Sequence, residues 1–286
     1  MLTRLLDAYL AAPRHRGKKW LLRHLLLPLV QGRPVRSYYG VRMHARPRDF
    51  TNLASISGCF RSDYDDVFAE VSALQPGMAF IDIGANAGLF SLVASQRVGE
   101  RGVVLAFEPS LPVFRDLVAN AAANGARNLF PFNAAVGEAT TIARFAPGKD
   151  SHSGVGRLDR SGEASVLQMH FDGLAALFDE ILGERETVIK IDVEGAEGQV
   201  VAALRQFLRR PQVRTVIAEI DPEFLRRFGH DEHGLYAAFA EAGFEPRRGL
   251  GAAAHYNEVF VRVGPAVSAP PARPALAAKA HAVPVP

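Results

Sequence analysis

The stretch Phe80-Ile81-Asp82-Ile83-Gly84-Ala85-Asn86-Ala87-Gly88-Leu89-Phe90 constrains the fold of this chain more than any other. It reads as a strand over 78–83, a turn framed by two glycines, and a helix that begins near Leu89. Strands of a parallel sheet are covered on both faces and read as near-continuous apolar runs, and Met78-Ala79-Phe80-Ile81 fits that description. Gly84 and Gly88 have no Cβ, so the chain can turn tightly and a ligand can approach the backbone. The helix that follows aims its unpaired N–H groups into the turn. A strand, turn and helix of this kind imply a site for a nucleotide-like cofactor.

What the turn lacks narrows the cofactor. A dinucleotide fingerprint has the form G-x-G-x-x-G and leaves room for a pyrophosphate at the helix N-terminus. Here Ala85, Asn86 and Ala87 separate two glycines, and Asp82 stands at the strand end, where it would repel a pyrophosphate but attract an ammonium, directly or through water. A phosphate-binding loop is ruled out, because no Gly-Lys-Ser/Thr follows. The next apolar run, Val103-Val104-Leu105-Ala106-Phe107, ends in Glu108, 26 residues after Asp82. An acid at the end of the second strand is placed to bind both hydroxyls of a ribose. Ammonium and ribose together point to S-adenosylmethionine rather than NAD.

The segments Asp-Ile-Gly-Ala-Asn-Ala-Gly (82–88), Ala-Phe-Glu-Pro (106–109) and Ile-Lys-Ile-Asp-Val-Glu-Gly-Ala-Glu (189–197) resemble the motifs of the FkbM-type methyltransferases. The resemblance runs from about Asp63 to Val263, and the three motifs in this order are more specific than any one alone. It implies a class I, Rossmann-like α/β fold, S-adenosylmethionine as cofactor, and O-methylation of a hydroxyl on a sugar or natural product.

Of the 286 residues, 48% are hydrophobic and 22% charged, the balance of a soluble globular protein with one large domain. The single cysteine, Cys59, excludes an internal disulfide framework, suits a reducing cytoplasm, and reads as a small buried thiol. The charge is asymmetric. Eleven basic residues against the single Asp7 give residues 1–48 a charge of +10, so the +3 of the whole chain leaves the remainder at −7. A mildly acidic body argues against a nucleic-acid binder.

Three regions follow: a basic helical arm over 1–50, a catalytic domain over 51–263, and a disordered Ala/Pro-rich tail over 264–286. Within the arm, Lys18 to Val30 is too short to span a bilayer, carries Arg23 and His24, and meets a helix breaker at Pro28. Its expected role is structural, an amphipathic helix packing its leucines on the domain. The alternative is an interfacial helix on anionic lipid, with Trp20 near the headgroups and a weak peripheral contact through residues 1–30.

In chain order, a small hairpin is expected around Gly40 and a helix over 64–74. Strand and helix then alternate: 78–83, 89–98, 103–107, 111–124 and 129–132, the pattern of a doubly wound parallel sheet. Two strands near 141–145 and 166–170 flank a polar, Gly-rich loop from Pro147 to Gly162, a candidate lid on the acceptor side. A short helix over 173–182, a strand over 187–191, a helix over 196–209 and a strand over 213–220 follow. A helix over 234–242 and two edge strands, 244–247 and 258–263, close a mostly parallel seven-stranded sheet with an antiparallel edge.

Ligands of open α/β sheets bind outside the carboxyl ends of the strands. Asp82, Glu108, Asn133, Asp192 and Glu219 all fall at or just past such ends. Asp82, Gly84, Asn86, Gly88, Glu108 and Asn133 form the expected cofactor set, with Asn133 reading the adenine edge as the corresponding polar residue does in related methyltransferases. Asp192, Glu194 and His152 are the catalytic candidates: Asp192 beside the transferring methyl, His152 as a possible base in the 147–162 loop. Glu197 reads as a helix first-turn acid. Asp192 with Glu219 or Asp221 also resembles the carboxylates of metal-dependent catechol-type O-methyltransferases, but the expected site is metal-free. His230 and His233 have a metal-like spacing yet read as a solvated turn. The acceptor is expected to be a small molecule or glycan hydroxyl. Amine or carboxyl methylation, or a cofactor-binding adaptor without turnover, are the alternatives.

Overall fold

The computed structural model describes residues 2–11, 15–58, 64–251 and 254–263. Cys59 and the 264–286 tail lie outside the described residues.

The basic segment folds as α1 (Leu2–Ala11) and a short α2 (Lys18–Leu21), which continues through a π-helical turn (Leu22–Leu26) and a 3-10 turn (Leu27–Val30). A hairpin of β1 (Pro34–Arg36) and β2 (Arg42–His44) follows, then α3 (Phe50–Ser57) and α4 (Asp65–Ala73). The core runs β3 (Ala79–Ile83), α5 (Leu89–Val98), β4 (Val103–Phe107), α6 (Leu111–Asn124) and β5 (Leu129–Phe132). Four short strands branch off as a second sheet: β6 (Ala135–Val136), β7 (Thr141–Ala146), β8 (Arg157–Leu158) and β9 (Ala164–Met169). The chain returns through α7 (Ala175–Leu182), β10 (Thr187–Ile191), α8 (Glu197–Ala203), β11 (Val213–Ile220), α9 (Pro222–Arg227), α10 (Glu232–Glu241), β12 (Phe244–Pro246) and β13 (Tyr256–Arg262).

The main sheet has seven strands in the order β12-β13-β11-β10-β3-β4-β5. Strands β3, β4, β5, β10 and β11 are parallel, and β13 is antiparallel to both β11 and β12. The reversed strand therefore sits one place inside the sheet, and the edge strand β12 runs with the body. The expected antiparallel pair at the edge is β12–β13, and one helix boundary is corrected. The helix after β10 stops at Ala203 rather than reaching 209, and a 3-10 turn at Phe207–Arg209 completes the connection. Directly after β11, Asp221 caps α9, accepting from the backbone N–H groups of Glu223 (2.9 Å) and Phe224 (3.0 Å). An N-cap aspartate followed by proline is a helix start.

Alternation along β3 and β10 divides the core. Ile81, Ile83, Ile189 and Ile191 face the layer built by α7, α8 and α10, while Phe80 and Val188 face the layer of α4 and α5. Leu6, Leu10, Leu22, Leu27, Val30, Val35 and Met43 join this second layer, so the basic segment shares the apolar core of the sheet. Polar bonds reinforce the junction. Buried Asn120 accepts from the His44 backbone N–H at 2.8 Å and donates to the Ala87 carbonyl at 2.8 Å, tying β2 to the glycine-framed turn.

Candidate active site

A cavity of about 360 Å³ opens at the carboxyl ends of β3, β4, β10 and β11, within the size range of small-molecule sites of roughly 300–1,000 Å³. Residues 83–87 form its floor, Glu108 one side, and Asp192, Glu194 and Glu219 the other. Residues 152–158, from the loop expected to be a lid, form a wall, and Thr51 and Ser55 of α3 stand behind them. That loop is fastened to α3: Asp49 accepts from the Ser153 hydroxyl at 2.6 Å, and Thr51 Oγ1 accepts from the Gly154 N–H at 3.0 Å.

The glycine-framed turn is built for close packing as much as for a ligand. Gly84 has φ +81°, and a Cβ there would lie 1.8 Å from the Asp192 carbonyl oxygen. Gly88 has φ +89°, and its Cβ would lie 2.5 Å from Leu117; it precedes α5 and does not line the cavity. Asn86 adopts the left-handed conformation (φ +51°), which asparagine tolerates, and its Oδ1 accepts from the Ala87 N–H at 2.7 Å. The Asn86 N–H then donates to Glu108 Oε2 at 3.0 Å, and the Ser110 N–H to Oε1 at 2.8 Å. Two backbone donors thus fix the Glu108 carboxyl at the cavity wall, and its burial pushes its pKa up to about 7.

Asp82 and Asn133 are placed differently from expectation. Asp82 is fully buried beneath the floor, off the cavity surface. It pairs across the sheet with Lys190, its register partner on β10: Lys190 Nζ lies 3.6 Å from Asp82 Oδ1, and the Ser91 hydroxyl of α5 donates to Oδ2 at 2.5 Å. Direct contact with a ligand ammonium is closed to it. Asn133 turns its amide N–H groups to the carbonyls of Glu108 (2.9 Å) and Pro109 (3.1 Å), so it braces the turn after β4 instead of lining the cavity.

At the β10 exit, Lys190 is 2% exposed and its ammonium lies 2.9 Å from Asp192 Oδ2, so one buried cation bridges Asp82 and Asp192. Burial alone would lower the Lys190 pKa, but the two aspartates raise it. Asp192, Glu194 and Glu219 each bring a carboxylate oxygen within 4.8 Å of the others. Crowding and burial push Glu194 up to about 9 and Glu219 to about 8. Glu194 also holds a left-handed backbone (φ +58°). Glu219 Oε1 meets His255 Nε2 at 2.7 Å, which raises the imidazole to about 9. Glu197 opens α8 as expected; its Oε1 accepts from the N–H groups of Val193 (3.1 Å) and Gly195 (3.2 Å), and it does not line the cavity. His152 does line the cavity, its ring 5.2 Å from that of Phe50 and without a hydrogen bond to the carboxylate cluster. His230 packs over Gly198 and His233 opens α10, both away from the cavity.

Two contributors escape a reading of the sequence. His255 precedes β13, far along the chain from Glu219, and reaches it because β13 folds back against β11. Lys190 stands out as the polar residue of an apolar strand, but its partners depend on strand register.

The donor set fits S-adenosylmethionine: a bare backbone floor, a braced carboxyl at the β4 end, apolar Phe107, Ala134, Ala135 and Val136, and acids suited to a ligand carrying ammonium and sulfonium charges. A seven-stranded sheet of this order with that site defines a class I methyltransferase. Residues 82–246 match the methyltransferase FkbM domain, and the chain belongs to this family of S-adenosylmethionine-dependent methyltransferases. It is 28% identical to the AMB antimetabolite synthetase AmbE of Pseudomonas aeruginosa across 54% of this chain, and spans 9% of that relative's length. Solved structures similar to it include an S-adenosylmethionine-dependent methyltransferase from Aquifex aeolicus (15% identity, 70% of this chain and 88% of that one, TM-score 0.40). Another is an S-adenosylmethionine-dependent O-methyltransferase from Thermotoga maritima (10% identity, 71% and 66%, TM-score 0.41). Among the described residues, no helix is long and apolar enough to cross a membrane.

Proposed function

We propose that the protein methylates a hydroxyl group on a small molecule or glycan. The observation that carries this reading is the convergence of Asp192, Glu194 and Glu219 at one end of the cavity. Burial keeps Glu194 protonated to about 9 and Glu219 to about 8, so at neutral pH these acids offer the acceptor hydrogen bonds and not fixed charge. A neutral hydroxyl suits that setting, and the Asp192 carboxyl group beside it assists loss of its proton.

Bound S-adenosylmethionine supplies an electrophilic methyl group. The chain's own residues then have two tasks. The 83–87 floor and Glu108 hold the donor in one orientation, and alignment of reacting atoms is the main source of rate in such a displacement. Asp192, oriented by Lys190 at 2.9 Å, accepts the hydroxyl proton. A positioned base contributes on the order of 10²–10⁴-fold. The adjoining Glu219–His255 pair borders this end of the cavity on its solvent side, where the His255 side chain is 60% exposed.

The test is product chemistry. Purified protein, methyl-labelled S-adenosylmethionine and a panel of hydroxyl, amine and carboxyl acceptors should yield label in a base-stable ether. Label that is released by mild base, as from a methyl ester, or that resides on nitrogen would overturn the reading.

A further inference from the structure

Residues Lys18 to Val30 present two apolar faces, and the core accounts for one. Leu22, Leu27 and Val30 are buried against the sheet layer. On the outside, Trp20 is 59% exposed, Leu25 49% and Leu29 61%. The π-helical turn over Leu22–Leu26 explains how both faces persist. Within it the Leu27 N–H bonds back to the Leu22 carbonyl five residues earlier, and both leucines are buried while Trp20 and Leu25 stay exposed. The indole is held in place, stacked on His24 at 5.2 Å, with His24 Nδ1 3.0 Å from the Trp20 carbonyl.

The rim of this outer face is basic. Arg16, Lys19 and Arg23 are exposed around Trp20, and the sequence has no acidic residue between Asp7 and Asp49. The face also adjoins the cavity. Lys19 Nζ lies 4.8 Å from the Phe50 ring, and Phe50 in turn packs against His152 of the cavity wall.

We infer that the exposed face of Trp20, Leu25 and Leu29, with its rim of Arg16, Lys19 and Arg23, docks the protein on an anionic lipid bilayer beside the mouth of the cavity. Large apolar side chains flanked by basic residues, with a tryptophan at the boundary, match the layered polarity of a membrane interface. The basic rim supplies the charge complementarity. A second copy of the chain is a poorer occupant, because a two-fold contact would set the same cations against each other. An acidic protein would satisfy the rim but leaves the choice of Trp and Leu unexplained. The segment lies on the surface without spanning it.

The chain contains one tryptophan, so its fluorescence reports from this face alone. Full-length protein should sediment with vesicles of phosphatidylcholine containing phosphatidylglycerol and show a blue shift of Trp20 emission. Pure phosphatidylcholine should give neither. Added salt should weaken binding, and the triple variant R16Q/K19Q/R23Q should lower affinity about tenfold or more, since each cation near an anionic leaflet contributes measurably to binding. L25S/L29S, at exposed positions, should abolish the blue shift while melting like the parent. Absence of binding to the anionic vesicles at low salt overturns the inference. So does binding that both variants retain. A dimer in solution that L25S/L29S converts to monomer, without vesicle binding, would assign the face to a second copy instead.

Discussion

The ammonium of Lys190 stands 2.9 Å from the carboxylate of Asp192, two residues further along the chain, and this contact couples the interior of the sheet to the cavity. On its other side the same ammonium faces Asp82, whose buried Oδ1 has no hydrogen-bond partner among the described residues. Lys190 therefore stabilises one carboxylate that the solvent cannot reach and orients another that a substrate can.

Replacing Lys190 by methionine should destabilise the protein by roughly 3–5 kcal/mol, the range for removing one partner of a buried ion pair. Burial already raises the Asp82 pKa, and without Lys190 that carboxyl gains stability by taking a proton. Urea unfolding of the variant should thus show stability recovering as pH falls, and the double variant D82N/K190M should recover part of the loss at neutral pH. A single variant as stable as the parent would show that the pair contributes nothing.

Glu108→Ala should weaken S-adenosylhomocysteine binding by roughly 1.5–3 kcal/mol, the range for hydrogen bonds to a charged group. Calorimetry on the parent should show binding of S-adenosylhomocysteine and none of NAD. The Asn86 and Ser110 N–H groups lose their acceptor in this variant, so a melting curve must accompany the titration.

Stability should decline from mildly acid to alkaline pH. The folded chain keeps protons on Glu108 and Glu197 to about 7, on Glu219 to about 8 and on Glu194 to about 9, each raised from 4.5 mainly by burial. Between the lower and upper values the folded state binds more protons than the unfolded chain, so stability falls as pH rises through that window. His255, raised from 6.5 to about 9 by its bond to Glu219, acts in the same sense: its contribution is complete below 6.5 and lost as pH passes 9. Melting temperature measured across this range should decrease, and Glu194→Gln should flatten the slope at its alkaline end. A melting temperature that climbs toward pH 9 would contradict these proton assignments.

EDTA should leave the methylation rate unchanged. Asp192, Glu194 and Glu219 are spaced so that a divalent ion could bridge them, but Lys190 and His255 already place positive charge on two of the three. Loss of activity on chelation, restored by Mg²⁺, would instead make these carboxylates ligands.

The sequence by itself determined the elements whose signals are local. The apolar run ending at Ile83, the glycines at 84 and 88, and Gly125 closing the helix that begins at Leu111 each act through backbone conformation or the covering of both strand faces. The observed β4, α5, α6, β5, β10 and β11 consequently share the ends expected from these signals. The strand-end rule also brought Glu108, Asp192 and Glu219 to one rim, because parallel strands finish on the same side.

What each polar residue faces was decided by tertiary structure. Asp82 lies one pleat back from the strand end, on the face that α5 covers, and the β3–β10 register sets Lys190 opposite it. Asn133 turned toward Glu108 and Pro109 because the carbonyls of the turn after β4 required donors. His255 met Glu219 only after β13 reversed against β11, a pairing that no local pattern encodes. Alternation and capping act over a few residues. A buried charge finds its partner across strands, and that choice exists only once the sheet has formed.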